Sequence, residues 1–169
     1  MAALLRAPAA EDTAYLFKLA AECDLRWPAV TRFGAVCTPQ AVLTALQSAV
    51  EVGYLVQDAK KQPVGVIGFV DADPGSQVMW LDGHCAPGDD DALVLLRQAV
   101  PIVLDEAERA GTVRFVYYEE YSELDESLVV EHRELWKSEV VIPQYAYVDG
   151  TWCTRVTLKL EMTAWANRN

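Results

Sequence analysis

Histidine is scarce in this chain, and its cysteines are few and scattered. The 169 residues hold two histidines and four cysteines. Cys23, Cys37, Cys85 and Cys153 show no Cys-x-x-Cys spacing, so a structural zinc site has poor material. The thiols read as reduced and mostly buried. Long apolar runs are missing as well. Leu93–Leu96 and Ala99–Leu104 fall far short of the ~20 residues that cross a bilayer. Met1–Arg6 lacks a basic segment followed by an extended apolar one, so no signal peptide is expected, and a soluble cytoplasmic protein is the reading. Basic residues are few: 14 Lys and Arg stand against 25 Asp and Glu, a net charge of −11. That balance repels nucleic acid and anionic membrane, and it favours encounter with a cationic partner, a small amine or a basic peptide.

What is present is ordinary globular material. Apolar residues make up 52% and charged residues 23%, which places the chain away from the disordered class. Its length suits one domain, residues 1–169, able to bury its own core. No linker or internal repeat divides it.

The pattern of elements follows from periodicity and turn chemistry. Leu4–Arg6 reads as a short strand, and Leu16, Leu19, Ala20 and Cys23 recur at helical spacing after it. Residues 24–36 read as irregular, and Thr38-Pro39 opens a second helix with Val42, Leu43, Leu46 and Val50 on its apolar side. Gly53–Gln57 and Val64–Val70 are apolar strand runs around a polar turn, and Gln77–Cys85 follows as a further strand. Asp89–Ala110 has a helical pattern that ends at Gly111, with Pro101 expected to kink or divide it. Val113–Tyr118 reads as a strand, and Glu123–Trp136 as a charged helix. The chain then closes in two β-rich runs, Pro143–Val148 and Thr151–Leu160, joined by Asp149-Gly150, a strong signal for a two-residue hairpin turn.

The resulting order, β-α-α-β-β-β-α-β-α-β-β, is that of the GCN5-related N-acetyltransferase superfamily. The chain resembles this family over essentially its whole length, through the opening Leu5–Asp12 and the terminal "YAYVDGTW…LKLEMTAW" hairpin. Its wording is similar to the branch that acetylates ribosomal-protein and N-terminal amines. The resemblance implies an α/β fold with a central, mixed, mostly antiparallel sheet flanked by helices. It also implies transfer of an acyl group from acetyl-CoA to a primary amine, and a homodimer, which the β-edge and aromatic surface of the terminal hairpin would suit.

In that family the fourth strand runs into a glycine-rich loop that wraps the coenzyme A pyrophosphate, using backbone amides and the positive end of a helix dipole. Here the corresponding place reads Ala86-Pro87-Gly88-Asp89-Asp90-Asp91. The loop is short, has no arginine, and sets three carboxylates where phosphates would land. Asp89 or Asp90 is expected to cap the helix instead. Cys85, Ala86 and Gly88 remain the positions that could touch the cofactor. Family members also carry a tyrosine near the end of the chain that can protonate the leaving thiolate; the matching position here is Glu131, and the adjacent His132 is a candidate acid or base.

Amine acylation needs a base for the ammonium proton and a donor for the acyl carbonyl. Asp82 and His84 fall on one face of the fourth strand by alternation and are candidate bases, with the Cys85 amide as donor. Glu119, within Tyr117–Tyr121, ends the fifth strand. Together with Trp27, Trp80, Tyr145 and Tyr147 that segment could form an aromatic, acidic cleft for a cation, although Trp80 and Tyr147 are expected to fill the core instead. Two readings stand: an acyl-CoA-dependent N-acyltransferase, and a binding protein on the same fold that has lost its coenzyme A site.

Overall fold

The computed structural model describes residues 2–22, 38, 50–73, 77–148 and 150–168. The second helix expected after Thr38, the irregular stretch before it, Trp27, Cys23, Cys37 and most of the turn after Asp73 lie outside these residues. Among the described residues, seven strands form one sheet in the order β1-β2-β3-β4-β5-β7-β6. The strands are β1 (Leu4–Arg6), β2 (Val50–Gln57), β3 (Pro63–Asp73), β4 (Val78–Cys85), β5 (Phe115–Tyr121), β6 (Trp136–Val148) and β7 (Thr151–Glu161). Helix α1 spans Thr13–Glu22, α2 spans Asp90–Ala110 and the short α3 spans Met162–Ala166. β4 and β5 run parallel, and every other neighbouring pair is antiparallel. This is the mixed, mostly antiparallel α/β sheet that the sequence predicts.

α2 is the helix that positions the centre of the sheet. Its start is set by Asp89, whose side chain accepts the Ala92 N–H at 3.0 Å, satisfying one of the free amides of the first turn. Its end is set by Gly111 at φ 69°, a left-handed position that glycine takes without a Cβ penalty. Ala92, Leu95, Leu96, Ala99, Val100, Val103, Leu104 and Ala107 repeat at helical spacing and are buried. They pack in one core with Val56, Ile67, Phe69, Met79, Leu81, Val116, Tyr118, Leu158 and Leu160 of the sheet. Pro101 does not divide α2, which remains one helix through it. A proline inside a helix costs ~3 kcal/mol, whereas burying each of Val100, Val103 and Leu104 stabilises by about 1.5–3 kcal/mol, so packing prevails.

The Asp58 carboxylate receives the N–H groups of Lys60 and Gln62 at 2.9 and 2.8 Å and closes the β2–β3 turn as its composition suggests. At the other end of the sheet, Val148 pairs with Thr151, and Gly150 at φ 85° turns the β6–β7 hairpin. β6 starts earlier than the sequence indicates, at Trp136. Its register with β7 shifts between Ile142 and Ala146, where Pro143 withholds a donor and Gln144 takes φ 49°, a combination suited to an edge strand.

One expected element is absent. Residues 122–132 form turns and irregular backbone, followed by a single 3-10 turn, Arg133–Leu135, instead of an α-helix over Glu123–Trp136. Within it Leu128 and Val129 are both buried, although their backbone is not helical. Their backbone is held from outside the segment. Arg97 on α2 donates to the carbonyls of Ser127 (2.9 Å) and Asp125 (3.1 Å), and the Leu128 N–H donates to the Tyr118 hydroxyl at 2.9 Å.

Candidate active site

β4 and β5 pair over only three positions, Val78 with Phe115, Met79 with Val116 and Trp80 with Tyr117. Beyond Trp80 and Tyr117 the two parallel strands part. β4 keeps its pairing with β3 as far as Cys85, and β5 keeps its pairing with β7 as far as Tyr121, so the fork is held open from both sides. A cavity of about 540 Å³ fills it.

Side chains from both faces of the sheet line the cavity. Met79, Leu81, Val116 and Tyr118 belong to the α2 core, so alternation turns Trp80, Asp82, His84, Tyr117, Glu119 and Tyr121 to the opposite face. On that face Asp82 Oδ1 stands 2.9 Å from His84 Nε2, and the other Asp82 oxygen is buried without a hydrogen-bond partner. Trp80 and Tyr117 lie with ring centroids 5.2 Å apart. Glu119 is ion-paired with Arg155, which also donates to the Tyr145 hydroxyl at 3.0 Å and lies over its ring. The hydrogen bond that Arg155 donates to Glu119 holds its pKa above the ordinary value.

On the α2 face the cavity is lined by Tyr118, Glu120, Ser127 and Leu128. Glu120 accepts from the Ser127 hydroxyl and pairs with Arg133 at 2.5 Å. Burial pushes the Tyr118 phenol up to about 12, against the hydrogen bond from the Leu128 amide, and the nearby Glu120 charge adds to the rise.

Of the residues named from sequence, the structure brings Asp82, His84 and Glu119 to the cavity wall. Cys85 ends β4, and Ala86 and Gly88 form the turn into α2, closed by the Asp89 N–H to the Ala86 carbonyl at 3.1 Å; these three stand beside the cavity rather than in its wall. His132 is not brought there. It occupies a left-handed position at φ 55°, edge-on to Trp165 at 5.3 Å. Trp80 and Tyr147 are not core residues: Trp80 lines the cavity, and Tyr147 is 63% exposed against Trp152. Tyr145 lies beside the cavity residue Tyr121. Sequence reasoning passed over Arg155, Ser127 and Leu128. No local signal marks them, because they reach the fork only through the β5–β7 register and the fold of the 122–132 segment.

No family model and no curated protein sequence matches this chain. Solved structures do match. A spermidine/spermine N-acetyltransferase SpeG from Vibrio cholerae, in complex with manganese ions, superposes with a TM-score of 0.74 at 13% identity, covering 99% of this chain and 97% of that one. The spermidine N-acetyltransferase from the same organism, in complex with CoA and spermine, gives 0.72 at 13% identity over 98% of both chains. A protein described as a phosphinothricin N-acetyltransferase gives 0.61 at 16% identity, over 95% of this chain and 98% of that one. The chain has the GCN5-related N-acetyltransferase fold. In it, the β4–β5 fork lies between one face rich in carboxylates and aromatic rings and a second face closed by α2 and the 122–132 segment.

The fit to acyl-CoA is divided along the fork. The β4 edge from Leu81 onward has no β5 partner and suits the amide groups of a pantetheine arm. The turn beyond it does not suit a pyrophosphate: Asp89 occupies an amide of the first turn, and Asp90 and Asp91 hold negative charge there.

Proposed function

We propose that this protein is an acyl-CoA-dependent N-acyltransferase acting on a small cationic primary amine. The observation that carries the reading is the β4–β5 fork with the Asp82–His84 pair in its wall. In the proposed reaction that pair takes the ammonium proton, so that a neutral nitrogen can attack, and Glu119 and the rings of Trp80 and Tyr117 attract the cation. The acyl donor is a substrate here, lying along the β4 edge from Leu81 to Ala86, with the Cys85 amide and the turn through Gly88 beyond it. His132 has no part in this reading. Two of the matched proteins are described with spermidine or spermine, which supports a polyamine as the first amine to try, ahead of a ribosomal-protein N-terminus. The acidic start of α2 favours a second reading, a binding protein that holds no coenzyme A.

Acetyl-CoA with spermidine, followed by thiol release and by the mass of the product, separates the two. Release of one thiol per acetylated amine is the expected result. No release with acetyl-CoA or longer acyl-CoA, together with an unchanged melting temperature, supports the second reading.

The same resemblance implies a homodimer. Val140–Val148 carries no charge in a chain of net −11, and Val140, Val141, Ile142, Tyr145 and Tyr147 of β6 are exposed, as is Trp152 of β7. We assign a second copy of the chain to this strip, since it is where like-charge repulsion between copies is least.

A further inference from the structure

Asp82 and Glu119 hold matching places across the fork. Each is the second residue beyond the last β4–β5 pair, Trp80 with Tyr117, and both lie on the face opposite the α2 core. Their surroundings differ. Asp82 meets His84 of its own strand, whereas Glu119 is already bound to a cation of the chain, Arg155.

Arg155 is fixed by more than this ion pair. Its guanidinium donates to Glu119 and to the Tyr145 hydroxyl at 3.0 Å, and it stands over the Tyr145 ring, 4.8 Å from the centroid. Tyr145 in turn stacks on Tyr121, with ring centroids 6.3 Å apart and planes at 28°. A carboxylate beside aromatic rings is the environment that receives an ammonium, and here the chain's own guanidinium fills it. Among the described residues, Arg155 is the one lysine or arginine in the cavity wall.

Resting on the acyltransferase reading above, we propose that Arg155 determines the specificity of the amine site: it selects amines with one ammonium and a neutral, hydrogen-bonding far end over diamines and polyamines. The reacting ammonium meets the Asp82–His84 side of the fork. A second ammonium reaching past Glu119 stands beside the guanidinium, where like charges repel. It gains Glu119 only by breaking the charge-assisted bonds that hold Arg155. A hydroxyl or carbonyl at the same point is received instead, because a guanidinium has five N–H donors, more than Glu119 and Tyr145 use. Discrimination of this kind comes from a built-in repulsion as much as from a new contact. Spermidine therefore enters by one ammonium only.

The test uses the full chain with acetyl-CoA and two amines of equal length, 4-aminobutanol and 1,4-diaminobutane, which differ only in the far group. The unmodified protein should favour the amino alcohol about tenfold or more in kcat/KM, the size of one like-charge contact. Arg155→Gln frees Glu119 and should turn the preference toward the diamine. Arg155→Lys keeps a cation there and should retain the unmodified preference, and Arg155→Gln combined with Glu119→Gln should bring the two amines close to parity. Calorimetric binding of each amine without acyl donor should give the same order. A preference for the diamine in the unmodified protein overturns the assignment even if Arg155→Gln does not fold, and so does an unchanged ratio in a folded Arg155→Gln; either leaves the acyltransferase reading standing. Absence of turnover with both amines and with spermidine overturns that reading, and the calorimetric order then decides the role of Arg155 by itself.

Discussion

Leu128 presses its side chain against the backbone of Gly83. A β-carbon built at residue 83 would lie 2.8 Å from Leu128 Cδ1, with the Val66 carbonyl oxygen at 3.3 Å. The absence of a side chain on β4 is therefore what lets the 122–132 segment close the α2 side of the fork. Gly83→Ala should force Leu128 outward and loosen that wall, whereas Leu128→Ala should leave a void and cost ~2–5 kcal/mol. Urea denaturation of both variants, with amide exchange at Val129, checks the relationship. Wild-type exchange in Gly83→Ala would show that the contact does not hold the wall.

On the acyltransferase reading, the charge at the start of α2 should govern affinity for the acyl donor. Asp90 and Asp91 lie in the first turn of the helix, where anions otherwise gain from the dipole. The double variant Asp90→Asn, Asp91→Asn should bind acetyl-CoA about tenfold tighter or better, since each relieved like-charge contact is worth ~1–4 kcal/mol. Titration calorimetry measures it; an unchanged affinity would put the pyrophosphate away from this helix. Asp89→Ala is the contrasting variant, because its loss removes the cap and should cost ~1 kcal/mol of stability.

Where the chain's own neighbours in sequence hold an element, its reading from sequence agrees with the structure. Asp89 and Gly111 bound α2 through contacts within a few residues, and the Val148–Thr151 closure is equally local. Asp82 and His84 were legible for the same reason, as alternate residues of one strand. The 122–132 segment was not, because Arg97 and Tyr118 hold it from 28 and 10 residues away. Nor were the faces taken by Trp80 and Tyr147, since aromatic content says nothing about which side of a sheet borders a cavity or open solvent. The short α3 also went unread: Trp165 is 1% exposed and donates to Asp105 at 2.9 Å, a partner on a distant helix.

Self-association is expected to run through the terminal hairpin. Tyr147 and Trp152 are 63% and 56% exposed, with ring centroids 5.3 Å apart, on the outermost strand pair of the sheet. Light scattering at high concentration should give twice the 18.7 kDa of one chain, and Trp152→Glu should return the monomer by burying a charge that no partner meets. A monomer mass for the unmodified protein at high concentration would refute the assignment of a second copy to this strip.

The pH dependence of folding should carry the mark of Asp12. Its carboxylate is 5% exposed and bonded to the Arg6 guanidinium at 2.6 Å through both oxygens, and it accepts the Ala9 N–H at 2.8 Å. The Arg6 hydrogen bond holds its pKa below the ordinary value, opposing burial, with the Ala9 amide adding to the fall. A folded pKa depressed in this way contributes stability that is fully present above the unfolded value of about 4 and is lost as pH falls through the folded one. Because a third of Arg6 faces solvent, the contribution is discounted to ~1–2 kcal/mol. Asp12→Asn should therefore be less stable than the unmodified protein at pH 7, and the gap should narrow on acidification below pH ~4. Parallel denaturation curves for the two proteins across that range, with a gap independent of pH, would show that Asp12 ionisation contributes nothing to the fold.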